Sequence, residues 1–376
     1  MQFYNPVHII AGAQALEELG SYCKSLYTGK GVLLLTRGLD FWDSPACQAL
    51  RNVLKPYKVQ EAAISVSNPD VADMADMLAS LKGKTYDAII GVGGGTVMDT
   101  AKTLALAIPA GISGTEGLRK FVADGQYDGI VPIPWVGIPT TSGTGSEATP
   151  WATVWDRQRE CKMSCSCSRN FAVAAVIDAQ FTATCPLSLT VSSALDAVCH
   201  ATESFWSRHT NEITQAFSLL AIRKIRTLLQ PLTQHLDDVQ LRQDIGNASL
   251  YAGIAFSNTR TTVCHSVSYP LTEKFGIPHG TAAALSLGDF MAFNQKAIPR
   301  YDELLAAFDC QSAEEVKQWI FSLLQIGGFS VRLRDYGITE QDIPYLVDHA
   351  FTKGRADNNP VPVQASDVEQ VLHTLL

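Results

Sequence analysis

One carboxylate and three histidines carry the chemistry this sequence can do. Asp196 and His200, in LDAVCHATES (195–204), stand four residues apart. On a helix that spacing puts both side chains on one face, one turn apart. Such a pair can chelate a divalent ion, although in isolation it is more commonly a helix ion pair or a core histidine. His265 follows in SNTRTTVCHSVSYP (257–270), a polar stretch within a helical pattern. Further on, IPHGTAA (277–283) presents His279 in a proline- and glycine-marked turn that opens a helix. The chain holds only eight histidines. An Asp and three His make a four-ligand set that leaves positions open for a substrate oxygen, as catalytic metal sites require. Imidazole and carboxylate suit Fe2+, Zn2+, Mn2+, Co2+ and Ni2+ alike, so ligand type does not choose among them.

Two further loops are built for close backbone approach. In GVGGGTVMDTAK (91–102) three consecutive glycines follow a strand and open a helix. Glycines let a phosphate come near the backbone, and the helix N-terminus supplies N–H donors and a positive dipole end. The stretch is not GxGxxG, and a plain tight turn is the alternative. Asp99 and Lys102 follow in the helix, where an exposed pair is the ordinary reading. PTTSGTGSEAT (139–149) crowds hydroxyls and glycines after another strand. A parallel sheet binds ligands beyond the carboxyl ends of its strands, so both loops belong on one edge.

Elements must hold these residues. With 376 residues the chain is long enough for two domains. GVLLLT (31–36), YKVQEAAIS (57–65), YDAII (86–90), WVGIP (135–139) and VAAVIDA (173–179) read as strands. Helical patterns near 44–55 and 71–81, and after the glycines to 108, alternate with them, which argues for an α/β parallel sheet. Beyond this the patterns are helical: 187–206, 211–230, 238–269, 281–296, 312–325, 339–352 and 366–376. The expected division is 1–180, α/β, and 181–376, all-helical. The net charge of −8 and the lack of a basic block speak against nucleic acid or an anionic membrane as partner. MQFYNPVHII has neither the basic flank nor the apolar run of a signal peptide, and no apolar stretch reaches membrane length. Nine cysteines without a disulfide-like framework point to reduced thiols in the cytoplasm. Cys161, Cys165 and Cys167 in ECKMSCSCS lack the second spaced pair of a zinc knuckle.

GGGTVMDTAK, PTTSGTGSEAT, DAVCHATES and IPHG, in this order, resemble the iron-containing (group III) alcohol dehydrogenases over nearly the whole chain. The resemblance implies an N-terminal Rossmann-like dinucleotide domain and an all-α C-terminal domain, a dehydroquinate synthase-like fold. It implies a metal, Fe2+ by family expectation and Zn2+ or another divalent ion by ligand type, on Asp196, His200, His265 and His279. It places the pyrophosphate of NAD(P)H on Gly93, Gly94, Gly95 and Thr96, with Asp99 nearby. Other cofactor contacts fall on Thr140, Thr141, Thr144, Thr149 and Lys162. A homodimer acting on a small aldehyde or alcohol is expected.

Two positions depart from the family pattern. Many members carry a second histidine four residues after the third ligand. Here it is Tyr269, a candidate proton relay, with water as the alternative. Members that prefer NAD often place an acidic residue after the first strand. Here it is Arg37, which would attract a 2′-phosphate, so NADPH is favoured. Within the family, AFSNTRTTVCHSVSYPLT and TPWATVWD resemble the phosphonoacetaldehyde reductase branch. That would explain Arg260, since arginine binds such dianions bidentately. On one continuous helix, however, Arg260 sits roughly 140° from His265, whereas Asn258, Thr261, His265 and Tyr269 share a stripe. Arg260 then needs a distorted helix, or a side chain that wraps around, to reach the site. Arg355 and Asn359 in KGRADNNPVP are further polar candidates. The alternatives are a general short-chain alcohol dehydrogenase, a maleylacetate-reductase-like enzyme and, less favoured, a metal-dependent lyase of the dehydroquinate synthase kind.

Overall fold

The computed structural model describes residues 1–38, 44–66, 69–125, 127–159, 161–352 and 354–376. They form two compact units. One comprises residues 5–140 and 146–182; the other comprises 1–4, 141–145 and 183–376.

The first unit is α/β. Its strands β1 (His8–Ala11), β2 (Val32–Arg37), β3 (Val59–Ile64), β4 (Ala88–Gly93), β5 (Trp135–Pro139) and β8 (Ala174–Ile177) form a parallel sheet in the order β1-β8-β5-β4-β2-β3. A separate antiparallel pair is made by β6 (Trp151–Asp156) and β7 (Cys161–Ser166). The helices of this unit are α1 (Ala15–Leu26), α2 (Pro45–Leu54), α3 (Val71–Ser80), α4 (Gly95–Ala107) and α5 (Thr115–Asp124). VLLLT on β2 is an unbroken apolar run because the strand is covered on both faces. Leu33 and Leu35 enter one core, and Val32 and Leu34 enter the other.

The sheet order has one point that matters for binding. From β2 the chain steps outward to β3, whereas from β4 it steps the opposite way to β5. The loops after β2 and β4 therefore diverge, and a crevice at such a switch point is where open α/β sheets take ligands.

The second unit is helical: α6 (Leu187–Trp206), α7 (Glu212–Gln234), α8 (Val239–Thr259), α9 (Val263–Phe275), α10 (His279–Leu285), α11 (Leu287–Asn294), α12 (Tyr301–Ala307), α13 (Ala313–Ile326), α14 (Ile343–His349) and α15 (Ala365–Leu375). Every residue of α6 from Thr190 to Trp206 is buried. A helix buried all round is a core helix, and α7, α8, α9, α10 and α13 pack against it.

The expected single helix over 238–269 is two helices. It breaks at Arg260, whose φ of 60° and ψ of −179° no helix accepts. The common stripe of Asn258, Thr261, His265 and Tyr269 therefore does not exist. Likewise 281–296 is two short helices joined at Ser286. Elements the periodicity did not reveal are β1, α1, α5, the β6–β7 hairpin and α12. Glu160, beside the cysteine cluster, and Lys353, in KGRADNNPVP, lie outside the described residues.

Candidate metal centre and dinucleotide loops

Asp196 and His200 stand on the buried helix α6, so this candidate ligand pair is a core feature, 3% and 6% exposed. α9 brings His265 to them and α10 brings His279. The turn between α9 and α10 is set locally. Gly276 ends α9 at φ 68°, and its N–H reaches back to the carbonyls of Leu271 and Thr272. Ile277 and Pro278 follow, and His279 opens α10. Gly280 then permits close packing: a Cβ there would overlap the Ser192 carbonyl and come 2.8 Å from Asp196 Cβ. Any larger residue would push His279 away from Asp196.

Asp196 Oδ1 lies 3.4 Å from His265 Nε2 and 4.0 Å from His279 Nε2. One donor atom from each of the three residues lies within 4.8 Å of the other two. Asp196 Oδ1 and His265 Nε2 are both buried, with no hydrogen-bond partner among the described residues. Buried polar atoms are nearly always paired, so two orphans this close fit a metal ion as their common partner. His200 stands beside the trio. Its Nδ1 is 3.9 Å from Asp196 Oδ2 and 3.4 Å from the Gly143 carbonyl. Its ring stacks on Phe256 and on His265, with centroids 4.1 and 4.4 Å away.

The residue that sequence reasoning missed is Glu203. It is fully buried on α6 and its Oε2 meets His265 Nδ1. Its Oε1 accepts from Thr262 Oγ1 and from Cys264 N, both at 2.7 Å, and from His265 N at 3.4 Å. One carboxylate thus caps the N-terminus of α9 and also fixes the His265 ring. A carboxylate on Nδ1–H leaves Nε2 as the metal-binding nitrogen. A signal existed: Asp196, His200 and Glu203 are spaced i, i+4, i+7, one helix stripe.

The charges agree with a cation site. Burial works against the Asp196 charge, yet His200, His265 and His279 hold its carboxyl well below the usual range. Burial pushes His200 down to about 4, against the pull of Asp196. Burial also opposes the charge on His265, but Glu203 and Asp196 outweigh it and raise the imidazole to about 10. Without metal, His265 thus keeps a proton that a binding metal must displace.

Of the four residues proposed for the substrate and proton, Arg260, Asn258, Thr261 and Tyr269, it is Tyr269 that stacks on a donor residue, His279. Asn258 is engaged elsewhere: its Oδ1 accepts from Tyr4 N at 2.9 Å. Thr261 is buried, its Oγ1 is unpaired among the described residues, and its carbonyl accepts from Asn358 Nδ2 at 3.1 Å. Tyr269 lies one turn beyond His265. Its ring is parallel to that of His279, at 5.7 Å, and Arg355 Nε donates to its hydroxyl oxygen at 3.4 Å. Arg260 holds a backbone conformation that is essentially reserved for glycine and costs about 1–3 kcal/mol. Asn359 is spent on Asn294 and on the Val361 carbonyl.

In the α/β unit, Gly93 ends β4, Gly94 precedes α4, and Gly95 and Thr96 open it. Residues 94–96 are half-buried. Thr140 N donates to the Gly93 carbonyl at 3.1 Å, so the ends of β4 and β5 stay together. Arg37 is exposed at the end of β2, whose Thr36 pairs with Val92 of β4. It therefore flanks the switch point beside the glycine loop. Asp99 is held by Ser146 Oγ at 2.8 Å and by Thr153 N at 2.9 Å. Lys102 is wholly buried, not exposed: its amine donates to Ser146 Oγ, Thr149 Oγ1 and the Trp151 carbonyl at 2.6, 2.9 and 2.8 Å. Thr149 is buried with it. Lys162 lies over the Trp155 ring at 5.7 Å. Thr141 and Thr144 are half-buried and belong to the segment that packs with the helical unit. Every one of the nine cysteines is a free thiol.

The sequence and the architecture have known counterparts. The family models for iron-containing alcohol dehydrogenase and for the C-terminal part of that family match residues 6–179 and 190–376. The phosphonoacetaldehyde reductase of Streptomyces viridochromogenes is 31% identical over 340 residues, 86% of this chain and 84% of that protein. The 1,3-propanediol dehydrogenase of Klebsiella pneumoniae is 28% identical over 365 residues, 93% of this chain and 92% of that protein. The structure of sulfoacetaldehyde reductase from Bifidobacterium kashiwanohense with NAD+ superposes with a TM-score of 0.90 at 25% identity, covering 100% of this chain and 98% of that one. With the models for both halves of the family matched across the chain, the chain belongs to the iron-containing alcohol dehydrogenases, with their dehydroquinate synthase-like fold.

Proposed function

We propose that this member of the family reduces phosphonoacetaldehyde to 2-hydroxyethylphosphonate, with NADPH as hydride donor. One observation carries the reading. The chain breaks at Arg260, and Arg355 stands beside Tyr269, whose ring faces His279. One arginine thus reaches the tyrosine that stacks on a proposed metal-ligating histidine, and a second lies at the adjoining Gly354, where a short aldehyde with an anionic tail would need them. The relative that reduces phosphonoacetaldehyde supports the same substrate.

In this reading Asp196, His200, His265 and His279 hold the metal, and Glu203 keeps His265 Nε2 directed at it. When bound, the metal supplies Lewis acidity toward the substrate carbonyl. Gly93, Gly94, Gly95 and Thr96 take the pyrophosphate at the N-terminus of α4. Arg37 takes the 2′-phosphate of NADPH. NADPH held there would supply the hydride for the carbonyl carbon; the Tyr269 hydroxyl gives a proton to the substrate oxygen and regains one from solvent. The reaction consumes one aldehyde, one NADPH and one proton. The homodimer and the cytoplasmic location expected above belong to this reading too.

The test is NAD(P)H oxidation by the Fe2+-loaded protein with phosphonoacetaldehyde, beside an uncharged aldehyde of similar length. A kcat/KM preference of about 100-fold, roughly 2.7 kcal/mol, is expected for the phosphonate. NADPH should also be used in preference to NADH. Equal use of the uncharged aldehyde would make the chain a general aldehyde reductase, the reading that the 1,3-propanediol dehydrogenase relative favours.

A further inference from the structure

Arg260 is one of three non-glycine residues with positive φ among the described residues, and its ψ is extended, whereas Arg300 is in the left-handed helical region. Its φ of 60° and ψ of −179° lie where L-residues other than glycine seldom go. Such a conformation persists only where its surroundings enforce it. Here they do. The Arg260 N–H closes α8 on the Phe256 carbonyl at 2.8 Å. The residues either side are tied to α6: Thr259 Oγ1 donates to Ser204 Oγ at 2.9 Å, and Thr262 Oγ1 is held by Glu203 and Trp206. A glycine would serve the turn without strain, yet the chain carries its longest cationic side chain there.

That side chain lies within the electrostatic reach of a second guanidinium. A Cβ added to Gly354 would lie 3.3 Å from Arg260 Nη1, so the Arg260 head rests against Gly354. Arg355 comes next in the chain. It donates from Nη1 to the Gly354 carbonyl at 2.8 Å and from Nε to the Tyr269 hydroxyl at 3.4 Å. Asn358 fastens this segment down: its Nδ2 donates to the Gly354 carbonyl at 2.9 Å and to the Thr261 carbonyl at 3.1 Å. Both arginines thus lie at one glycine, Arg260 by its Nη1 and Arg355 by its hydrogen bond to the Gly354 carbonyl. Burial lowers the Arg260 guanidinium, and Arg355 lowers it further, while Asp357 offsets part of this. Two like charges so placed favour an anion that bridges them.

We propose that Arg260 and Arg355 form a two-guanidinium pair that holds a tetrahedral oxyanion, a phosphonate or its sulfonate analogue, on the tail of the aldehyde. The proposal rests on the charged-substrate reading above and adds the second arginine and the strained turn to it. Guanidinium forks match tetrahedral oxyanions bidentately, so two of them select charge and shape together. Arg355 also touches Tyr269, so an anion held by the pair sets the position of the carbonyl relative to that hydroxyl.

The experiment uses the metal-loaded protein and the variants Arg355→Ala and Arg260→Gly. For each, kcat/KM is measured with phosphonoacetaldehyde, sulfoacetaldehyde and an uncharged aldehyde, and methylphosphonate binding is followed by calorimetry. Each variant is expected to lower the ratio of charged to uncharged kcat/KM by at least about 30-fold, and to abolish methylphosphonate binding. The Tm of Arg260→Gly should hold or rise, because glycine relieves the turn. A preference for phosphonate over sulfonate in the wild type assigns the dianion; the reverse assigns the monoanion, and either order supports the pair. Where the wild type prefers the charged aldehydes, an unchanged ratio in both variants overturns it; so does methylphosphonate that binds wild type and variants alike, or that fails to bind the wild type. A Tm loss of more than about 5 °C in Arg260→Gly, with the ratio intact, makes Arg260 a structural residue. If the wild type shows no preference for charged aldehydes but methylphosphonate binding still depends on both arginines, the substrate reading fails and the anion pair stands.

Discussion

At the scale of single residues, Glu203 decides more than its place in the sequence suggests. It sits seven residues after Asp196 on a helix buried along its length, and it binds both the His265 ring and the N-terminus of α9. Removing its charge while keeping its shape should loosen the metal without unfolding the protein. For Glu203→Gln we expect Fe2+ or Co2+ affinity to fall about 10- to 100-fold, the usual effect of losing a carboxylate behind a metal-bound histidine. Competition with a chelator, followed by the visible absorption of the Co2+ form, measures this independently of turnover. An affinity equal to wild type would reduce Glu203 to a helix cap. His279 was legible from its Pro/Gly setting, and Asp196 with His200 from their spacing. Glu203 was not singled out because acidic residues on helices are usually solvated.

At the scale of elements, α4 is fastened by a buried amine. Lys102 is wholly inside the α/β unit, and burial pushes it down to about 8 against the pull of Asp99 and Glu147. From pH 8 up to the ordinary lysine value of 10.5, the unfolded chain holds this proton more tightly than the fold does. The unfolded state binds more protons in that window, so the contribution of Lys102 to stability rises with pH there. Below pH 8 the full cost remains, about 3 kcal/mol at 1.36 kcal/mol per unit. Lys102→Met cannot titrate. Wild type should therefore gain on it by about that amount between pH 7.5 and 10.5, as read from denaturant unfolding at each pH. A constant difference would mean that the amine keeps its ordinary affinity for protons inside the fold. The spacing of Asp99 and Lys102 suggested an exposed pair. Only the packing of residues 146–151 over α4 makes the lysine internal.

At the scale of the whole molecule, each compact unit carries its own candidate ligand site. The candidate metal donors lie in the helical unit and the glycine loop lies in the α/β unit. A ligand that binds only the folded form stabilises it by about 2.7 kcal/mol at 100 times its Kd. Removing the metal should therefore speed amide exchange most in α6, α9 and α10, whereas NADPH should slow it most at the β4–α4 turn. Hydrogen exchange read peptide by peptide checks both. Equal responses of the two regions to metal would show that the metal does not act through the helical donors.

By itself the sequence determined which residues are chemically able to act, and the class of fold that carries them. Continuous apolar runs on β2 and β4, the three glycines after β4 and the one-turn spacing of Asp196 and His200 are local signals, set by periods of two and of 3.6 residues and by backbone freedom. Tertiary structure decided what local signals cannot hold. The helical pattern runs unbroken through Arg260, and helix propensity gives no reason to stop there. Contacts from α6, through Ser204, Glu203 and Trp206, hold the chain in a turn that a lone arginine would avoid. Through the same contacts His265 joins Asp196 and His279, and Arg260 lies beside Arg355, 95 residues further along the chain. Such pairings depend on how helices distant in sequence pack together, and no window of the sequence contains both partners.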